Sequence, residues 1–533
     1  MKTINRVQLP GLVLAISIFI FVLMAIATLL KYSPSLDLTV IWSDTYYRHI
    51  TQFSFYQALL STLLSVLLAI PISHALFRRE FFGKKLLLKL FATTLVLPVL
   101  VAIFGLLAIY GNSGLLATFF DYFEQPLPFS IYGLNGILLA HVFFNTPFAC
   151  RLFLQSLQAI PEQQHQIASQ LGLKHLNKFR FVEWPAIKGQ LAHITGLIFM
   201  LCFTSFASVM ALGGGPKATT IELAIYQAIK FDFDLATGAL LALWQICLCT
   251  LLSIFIQKFT SHNELNTQQQ GDKNSFKYDS FFSKCWDIAW ISAIIIFVVP
   301  PLLMVIIAGI NSELLSILTD NTFWKALKNS FLIASFASII AVTSAFFILL
   351  TSRQWRLHGF QHRADKVEMF GAIILVTPGI VISTGLFLLL REAGNLSHLS
   401  FYIVVAVNAM MALPFVLKSL AQPMLNNAQK YEKLCASLGV FSLNRFYWIE
   451  WKALRVTILH ALCLSFVLSI GDLSAIALFG SQSFTTLPLY LFQLLGSYQM
   501  QAAAVVALVL LILSVLVFVF IEKLFQEKRV IHD

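Results

Sequence analysis

Apolar runs of about 20 residues, separated by short polar stretches, fill this chain. A helix of that length crosses the hydrocarbon core of a bilayer. Twelve such runs occur, at roughly 11–30, 57–76, 91–110, 134–154, 194–212, 237–257, 288–310, 331–350, 370–390, 401–418, 456–479 and 502–521. Lipid offers the backbone no hydrogen-bond partners, so self-satisfied helices are the expected form. The alternating segments of about ten residues that mark a membrane β-barrel are not the pattern here. The chain reads as an all-α, polytopic membrane protein with about twelve spanning helices.

The polar interruptions carry a second pattern. Residues 155–187 read QSLQAIPEQQHQIASQLGLKHLNKFRFVEWPAI, and 419–454 read SLAQPMLNNAQKYEKLCASLGVFSLNRFYWIEWKAL. Gly172 pairs with Gly439, Asn177 with Asn444, Glu183 with Glu450 and Trp184 with Trp451, all 267 residues apart. The repeat extends into the flanking runs. Phe55–Arg79 parallels Phe323–Arg353 with Ala58-Leu59 set on Ala326-Leu327, and Val96-Leu97-Pro98 parallels Val376-Thr377-Pro378. Asn145-Thr146-Pro147-Phe148 parallels 412–415, and 220–227 parallels 486–493. A duplication on this scale is recognised before a fold is assigned. Six helices per copy is an even number, so both halves enter the membrane in the same direction, as parallel repeats about an axis along the membrane normal.

Composition agrees: 58% of residues are hydrophobic and 11% charged, an excess of apolar surface that a water-soluble core does not absorb. Charge orients the helices. With the N-terminus inside, 29 of the 36 Lys and Arg fall on the inner side, and only Lys31, Arg48, Lys217, Lys230, Lys325, Lys328 and Arg391 fall outside. The net charge of +11 is therefore a topology signal rather than a nucleic-acid surface. The basic segment Phe77–Leu90 suits a lipid surface. Lys2 and Arg6 precede a first apolar run too long for a signal core, so that run is expected to be a retained helix. Residues 261–280, rich in Gln and Asn, read as a flexible inside linker.

Candidate chemistry is sparse. No phosphate-binding G-x-x-x-x-G-K-[ST] loop occurs; Gly83-Lys84-Lys85 is the nearest fragment and position 78 is Arg. The chain is therefore not expected to be an enzyme. None of the seven cysteines lies in an outside loop, and Cys247 and Cys249 fall on different helix faces, so neither disulfides nor a metal site are expected. His141, His193 and His460 read as packing residues. Asp472 is the one acidic residue placed within a span, where a charge costs about 2.5–3.5 kcal/mol. Two readings are open to it: bonding the backbone at a helix break after Gly471, or facing a solute path. Its counterpart, Ser205, is neutral.

Each polar loop is a helix-forming run, a glycine stop and a second amphipathic run. Two such elements suit a two-fold partner, or simply lie at the interface. They resemble the coupling loops of ABC importer permeases of the first type, whose pattern is E-A-A, three residues, Gly, nine residues, Ile, one residue, Leu-Pro. It falls on Gln166, Ile167, Ala168, Gly172, Val182, Trp184 and Pro185, and again on Lys433, Leu434, Cys435, Gly439, Ile449, Trp451 and Lys452. The acidic residue is missing from both copies and the proline from the second. The stretches 171–185, 468–480 and 485–505 are similar to the fused two-half permeases of thiamine and thiamine pyrophosphate importers.

That resemblance implies two cytoplasmic ABC ATPase subunits holding ATP-Mg, a periplasmic thiamine-binding protein, and an inner-membrane site with both termini cytoplasmic. It divides the chain into a first helix and outside loop (1–52), a first ABC transmembrane domain (53–258), a linker (259–287), a seventh helix and outside loop (288–325), a second transmembrane domain (326–522) and a tail (523–533). Ferric-iron permeases are also fused duplications and are the nearest alternative. Twelve-helix secondary transporters are a further one, but their charged motif between helices two and three is not present in 77–90.

Overall fold

The computed structural model describes residues 9–33, 39–94, 97–173, 175–259, 280–375, 377–392, 394, 396–440 and 442–529. The 261–280 linker lies outside the described residues but for Ser280, as do Lys2, Arg6 and the tail beyond 529. Among the described residues every regular element is helical.

Among the described residues eleven helical segments are long and apolar enough to cross a membrane. The first half comprises α1 (Leu9–Tyr32), α2 (Thr45–Arg78), α3 (Val99–Tyr110), α4 (Leu134–Gln158), α5 (Glu162–Gln170), α6 (Trp184–Phe203), α7 (Phe206–Leu212), α8 (Ile221–Lys230) and α9 (Leu235–Phe259). The second comprises α10 (Phe281–Gly309), α11 (Asn321–Leu357), α12 (Gly379–Glu392), α13 (Leu396–Ser437), α14 (Trp451–Ile470), α15 (Ser474–Phe479), α16 (Leu487–Gly496) and α17 (Met500–Arg529). The expected span at 370–390 is not among the eleven. Its helix α12 has 14 residues, because Pro378 precedes it and a proline holds its neighbour out of helical geometry.

The two halves repeat in three dimensions, with one correction to the sequence register. Asp44 caps α2 and Asp320 caps α11 through the backbone N–H two residues on. Ser54 Oγ accepts from Ile221 N at 3.0 Å, and Ser330 Oγ accepts from Leu487 N at 2.7 Å. These pairs are 276 residues apart, so Ala58 matches Ala334 and not Ala326. The short Ala-Leu identity was misleading; the buried Ser and Ala positions, which face neighbouring helices, carry the true register.

The halves exchange helices. The third helix of each packs on the other half: α3 on α10 and α17, and α12 on α1 and α9. Backbones come together where these helices cross. A Cβ at Gly105 would sit 2.3 Å from the Pro301 oxygen, and one at Gly385 2.4 Å from the Ala25 oxygen. Without a side chain these crossings are close, and close approach is how helices associate within lipid. α2 and α11, at 34 and 37 residues, run well past a hydrocarbon core of about 30 Å and carry ion pairs at their C-terminal ends.

Candidate functional site

Each half presents one folded-back element beside the C-terminal end of its second helix. In the first half Pro161 sets α5 off from α4. In the second the matching residue is Ala428, and α13 runs unbroken for 42 residues to the same point. Both end alike. Gly172 and Gly439 stand at φ +67° and +64°, left-handed values that glycine adopts freely. Leu173 N donates to Ala168 O and Val440 N to Cys435 O, each at 2.9 Å, closing Schellman turns. Ala168 and Cys435 are buried beneath the turns, whereas Gln166, Ile167 and Leu434 are exposed. Leu171 and Leu438, one residue before each glycine, are 71% and 67% exposed. Lys433 belongs to α13, and its side chain lies outside the described residues.

Beyond each turn the chain widens into a π-helical turn, Phe179–Glu183 and Phe446–Glu450. Such insertions rotate the register of side chains and often mark functional positions. Here they direct one carboxylate inward: Glu183 is 2% and Glu450 3% exposed. His74 Nε2 on α2 lies 2.7 Å from Glu183 Oε2. Arg353 on α11 donates to Glu450 Oε1 at 2.5 Å, with Arg445 Nε at 3.0 Å from the same oxygen. Each folded-back element is thus pinned to the second helix of its own half. Val182, Trp184 and Ile449 are half-buried, while Pro185 and Trp451 are exposed. Trp184 stands 6.0 Å from the Phe179 ring and Trp451 6.1 Å from Phe446. Sequence comparison found Glu183 and Glu450 as an identical pair without a role; their identity in both copies was the available signal. On α5, His165 is buried against Phe77, and burial, with Lys178 nearby, holds its pKa below the usual range.

Asp472 lies at the break between α14 and α15. Its Oδ1 accepts from Ser474 Oγ at 2.8 Å and from Ser474 N at 3.3 Å, and its Oδ2 from Ala475 N at 3.3 Å. It thereby serves the free N–H groups that begin α15. Ser205, its counterpart, makes no capping bond to α7. The break is also where the halves meet: a Cβ at Gly471 would lie 3.0 Å from Pro98. Asp472 is not alone among acidic residues within the bundle. Asp287 on α10 is fully buried, 2.7 Å from Arg79 Nε, and Glu222 on α8 is buried too. The sequence shows neither as buried: Asp287 lies one residue before an expected apolar run, and Glu222 falls in the loop between two of them. His141 Nδ1 lies 2.9 Å from Ser61 Oγ, a packing contact between α4 and α2. Among the described residues no three candidate ligands gather to hold a metal.

No protein-family model matches the chain. It is 44% identical over 517 residues to the thiamine transport system permease protein ThiP of Escherichia coli (strain K12), covering 97% of this chain and 96% of that protein. The protein of the same name in Haemophilus influenzae is 44% identical over 516 residues, covering 96% and 95% of the two chains. That of Brucella abortus (strain 2308) is 38% identical over 488 residues, covering 91% and 89%. A Fe(3+)-transport system permease protein, FbpB 2 of Haemophilus influenzae, is 22% identical over 387 residues, covering 72% and 74%.

Proposed function

The chain belongs to the family of thiamine transport system permeases, and from that premise we propose that it is the membrane-spanning subunit of an ATP-driven importer carrying thiamine and its phosphates across the bacterial inner membrane. Two ABC ATPase subunits dock on the two folded-back elements, one on each, and hold ATP-Mg. A periplasmic thiamine-binding protein delivers the solute to the outer side. Both termini are cytoplasmic, and 53–258 and 326–522 are the two transmembrane domains. The Fe(3+) relative, at 22% identity, gives the ferric-iron reading much less support.

The observation that carries this reading is the matched pair of elements. Each offers exposed apolar side chains: Ile167, Leu171, Leu176 and Phe181 in the first, and Leu434, Leu438, Tyr447 and Trp448 in the second. Exposed apolar groups clustered on polar inner-side loops mark a surface that another protein covers. The docking residues we assign are Gln166, Ile167, Ala168, Gly172, Val182, Trp184 and Pro185, with Lys433, Leu434, Cys435, Gly439, Ile449 and Trp451. Because Glu183 and Glu450 tie each element to a helix that spans the membrane, a pull on the elements tilts whole halves. The solute crosses between the halves, near the meeting of Gly471 with Pro98. There Asp472 keeps the helix break in shape and supplies an anion to a cation in transit. Thiamine carries a fixed positive charge, which a low-dielectric path disfavours without a counter-charge.

The test is ATP hydrolysis. The purified chain is expected to show none. Addition of its ATPase restores hydrolysis, and a thiamine-loaded binding protein raises it further. Hydrolysis by the chain free of any ATPase overturns the reading.

A further inference from the structure

Lys230 reaches from one half of the molecule into the other. It ends α8 on the outer side, and its Nζ donates to the carbonyl oxygens of Leu478 at 3.1 Å and Gly480 at 3.0 Å. These oxygens belong to the C-terminal end of α15, where a helix leaves its last carbonyls without intrahelical partners and presents the negative end of its dipole. At the other end of the same helix Asp472 accepts from the N–H groups of Ser474 and Ala475. A helix of six residues, about 9 Å long, therefore has an anion of its own half at its start and a cation of the opposite half at its finish. Its side chains from Ala475 to Phe479 are buried, which makes it a rigid strut.

Among the described residues the second half has no counterpart to this tie. The residue matching Lys230 in the second half is Gly496, which has no side chain to reach with, and the residue matching Asp472 is Ser205, which caps nothing. A symmetric fold thus carries one asymmetric tie, placed at the outer end of the meeting between the halves. Lysine suits a tie that is made and broken. It is a single charge on a flexible stem, strongly hydrated, and its partners here are neutral carbonyls rather than a buried carboxylate. Released, it regains water and leaves no stranded counter-charge behind.

We infer that Lys230 is the outer latch of the transporter: bonded to α15 when the outer ends of the halves are together, and free when they part. The strut connects this latch to Asp472, so parting of the outer ends and rearrangement of the helix break occur together. The inference rests on the proposed two-half transport cycle.

The experiment uses the full complex with its ATPase in lipid nanodiscs, in a background without reactive cysteines. Spin labels are placed through Asp232→Cys and Ser483→Cys, exposed positions flanking the latch in the two halves. Distances are read by double electron–electron resonance, without nucleotide and with ATP trapped. In the wild type a short distance dominates without nucleotide and a long one with ATP. Lys230→Met, which keeps the stem and removes the charge, is expected to raise the ratio of long to short about tenfold without nucleotide, the size of one lost hydrogen bond to a charged donor. Lys230→Gln, which keeps a donor, gives a rise of about threefold and serves in place of the Met variant should that fail to assemble. An unchanged ratio in the assembled variants overturns the latch. A single distance in the wild type under both conditions overturns the transport cycle instead.

Discussion

Glu450 is held by Arg353, 97 residues away on α11, and by Arg445; the repeat in the sequence marks Glu450 but not these two partners. Removing one member of a buried pair strands the other, at a cost of about 3–5 kcal/mol, whereas replacing both by apolar groups is often nearly neutral. Glu450→Leu is therefore expected to lower the thermal midpoint in detergent sharply, and Glu450→Leu with Arg353→Leu to recover much of the loss. A double variant worse than the sum of the singles speaks against a buried pair in this role. For Asp472 the sequence left two roles open, and the geometry gives one of them substance, since both carboxylate oxygens are engaged by the start of α15. Asp472→Asn keeps an acceptor for the helix and removes the charge. Thiamine uptake is expected to fall severalfold with assembly and basal hydrolysis intact, and uptake of thiamine pyrophosphate, which brings its own anions, to fall less. Equal losses for both solutes, with poor expression, leave Asp472 a purely structural cap. Asp472 was legible because it interrupts an apolar run. Glu222 and Asp287 were not, because their burial follows from how helices pack and not from their neighbours in sequence.

The two folded-back elements were the most legible part of the molecule. Their glycines, spacing and identical Glu residues all stood in the sequence, since a tight turn demands particular residues at fixed positions. The π-helical turns were not legible: nothing in FRFVE or FYWIE distinguishes a π turn from an α turn, and the wider turn arises from placing Glu183 and Glu450 against the neighbouring helix. Nor was the difference in approach, where Pro161 separates α5 but Ala428 lets α13 run on. Both glycines face open space, so a side chain there meets no clash but is strained by its positive φ, about 1–2 kcal/mol each. Gly172→Val with Gly439→Val is expected to reshape the turns and cut co-purification of the ATPase several-fold while membrane insertion is retained. Undiminished co-purification contradicts docking at these turns.

At the scale of the whole molecule, the apolar runs gave the membrane class and the helix count to within one short helix, and the residues repeated between the polar loops gave the duplication. The exchange of third helices between halves lay beyond both, because apolar helices of similar length carry no mark of which neighbour they choose. Gly105 and Gly385 become informative only once the backbones they admit, at Pro301 and Ala25, are seen. That exchange packs the two halves into one unit, and in the proposed cycle the folded-back elements and the Lys230 latch are opposite ends of the same motion. The central claim is that this unit carries thiamine inward on ATP. Its most direct test is uptake of radiolabelled thiamine into proteoliposomes containing this chain, its ATPase and its binding protein. The account predicts accumulation that requires external binding protein and ATP at the ATPase face, and that excess unlabelled thiamine abolishes while ferric iron leaves it unchanged. Uptake of ferric iron with no accumulation of thiamine contradicts it.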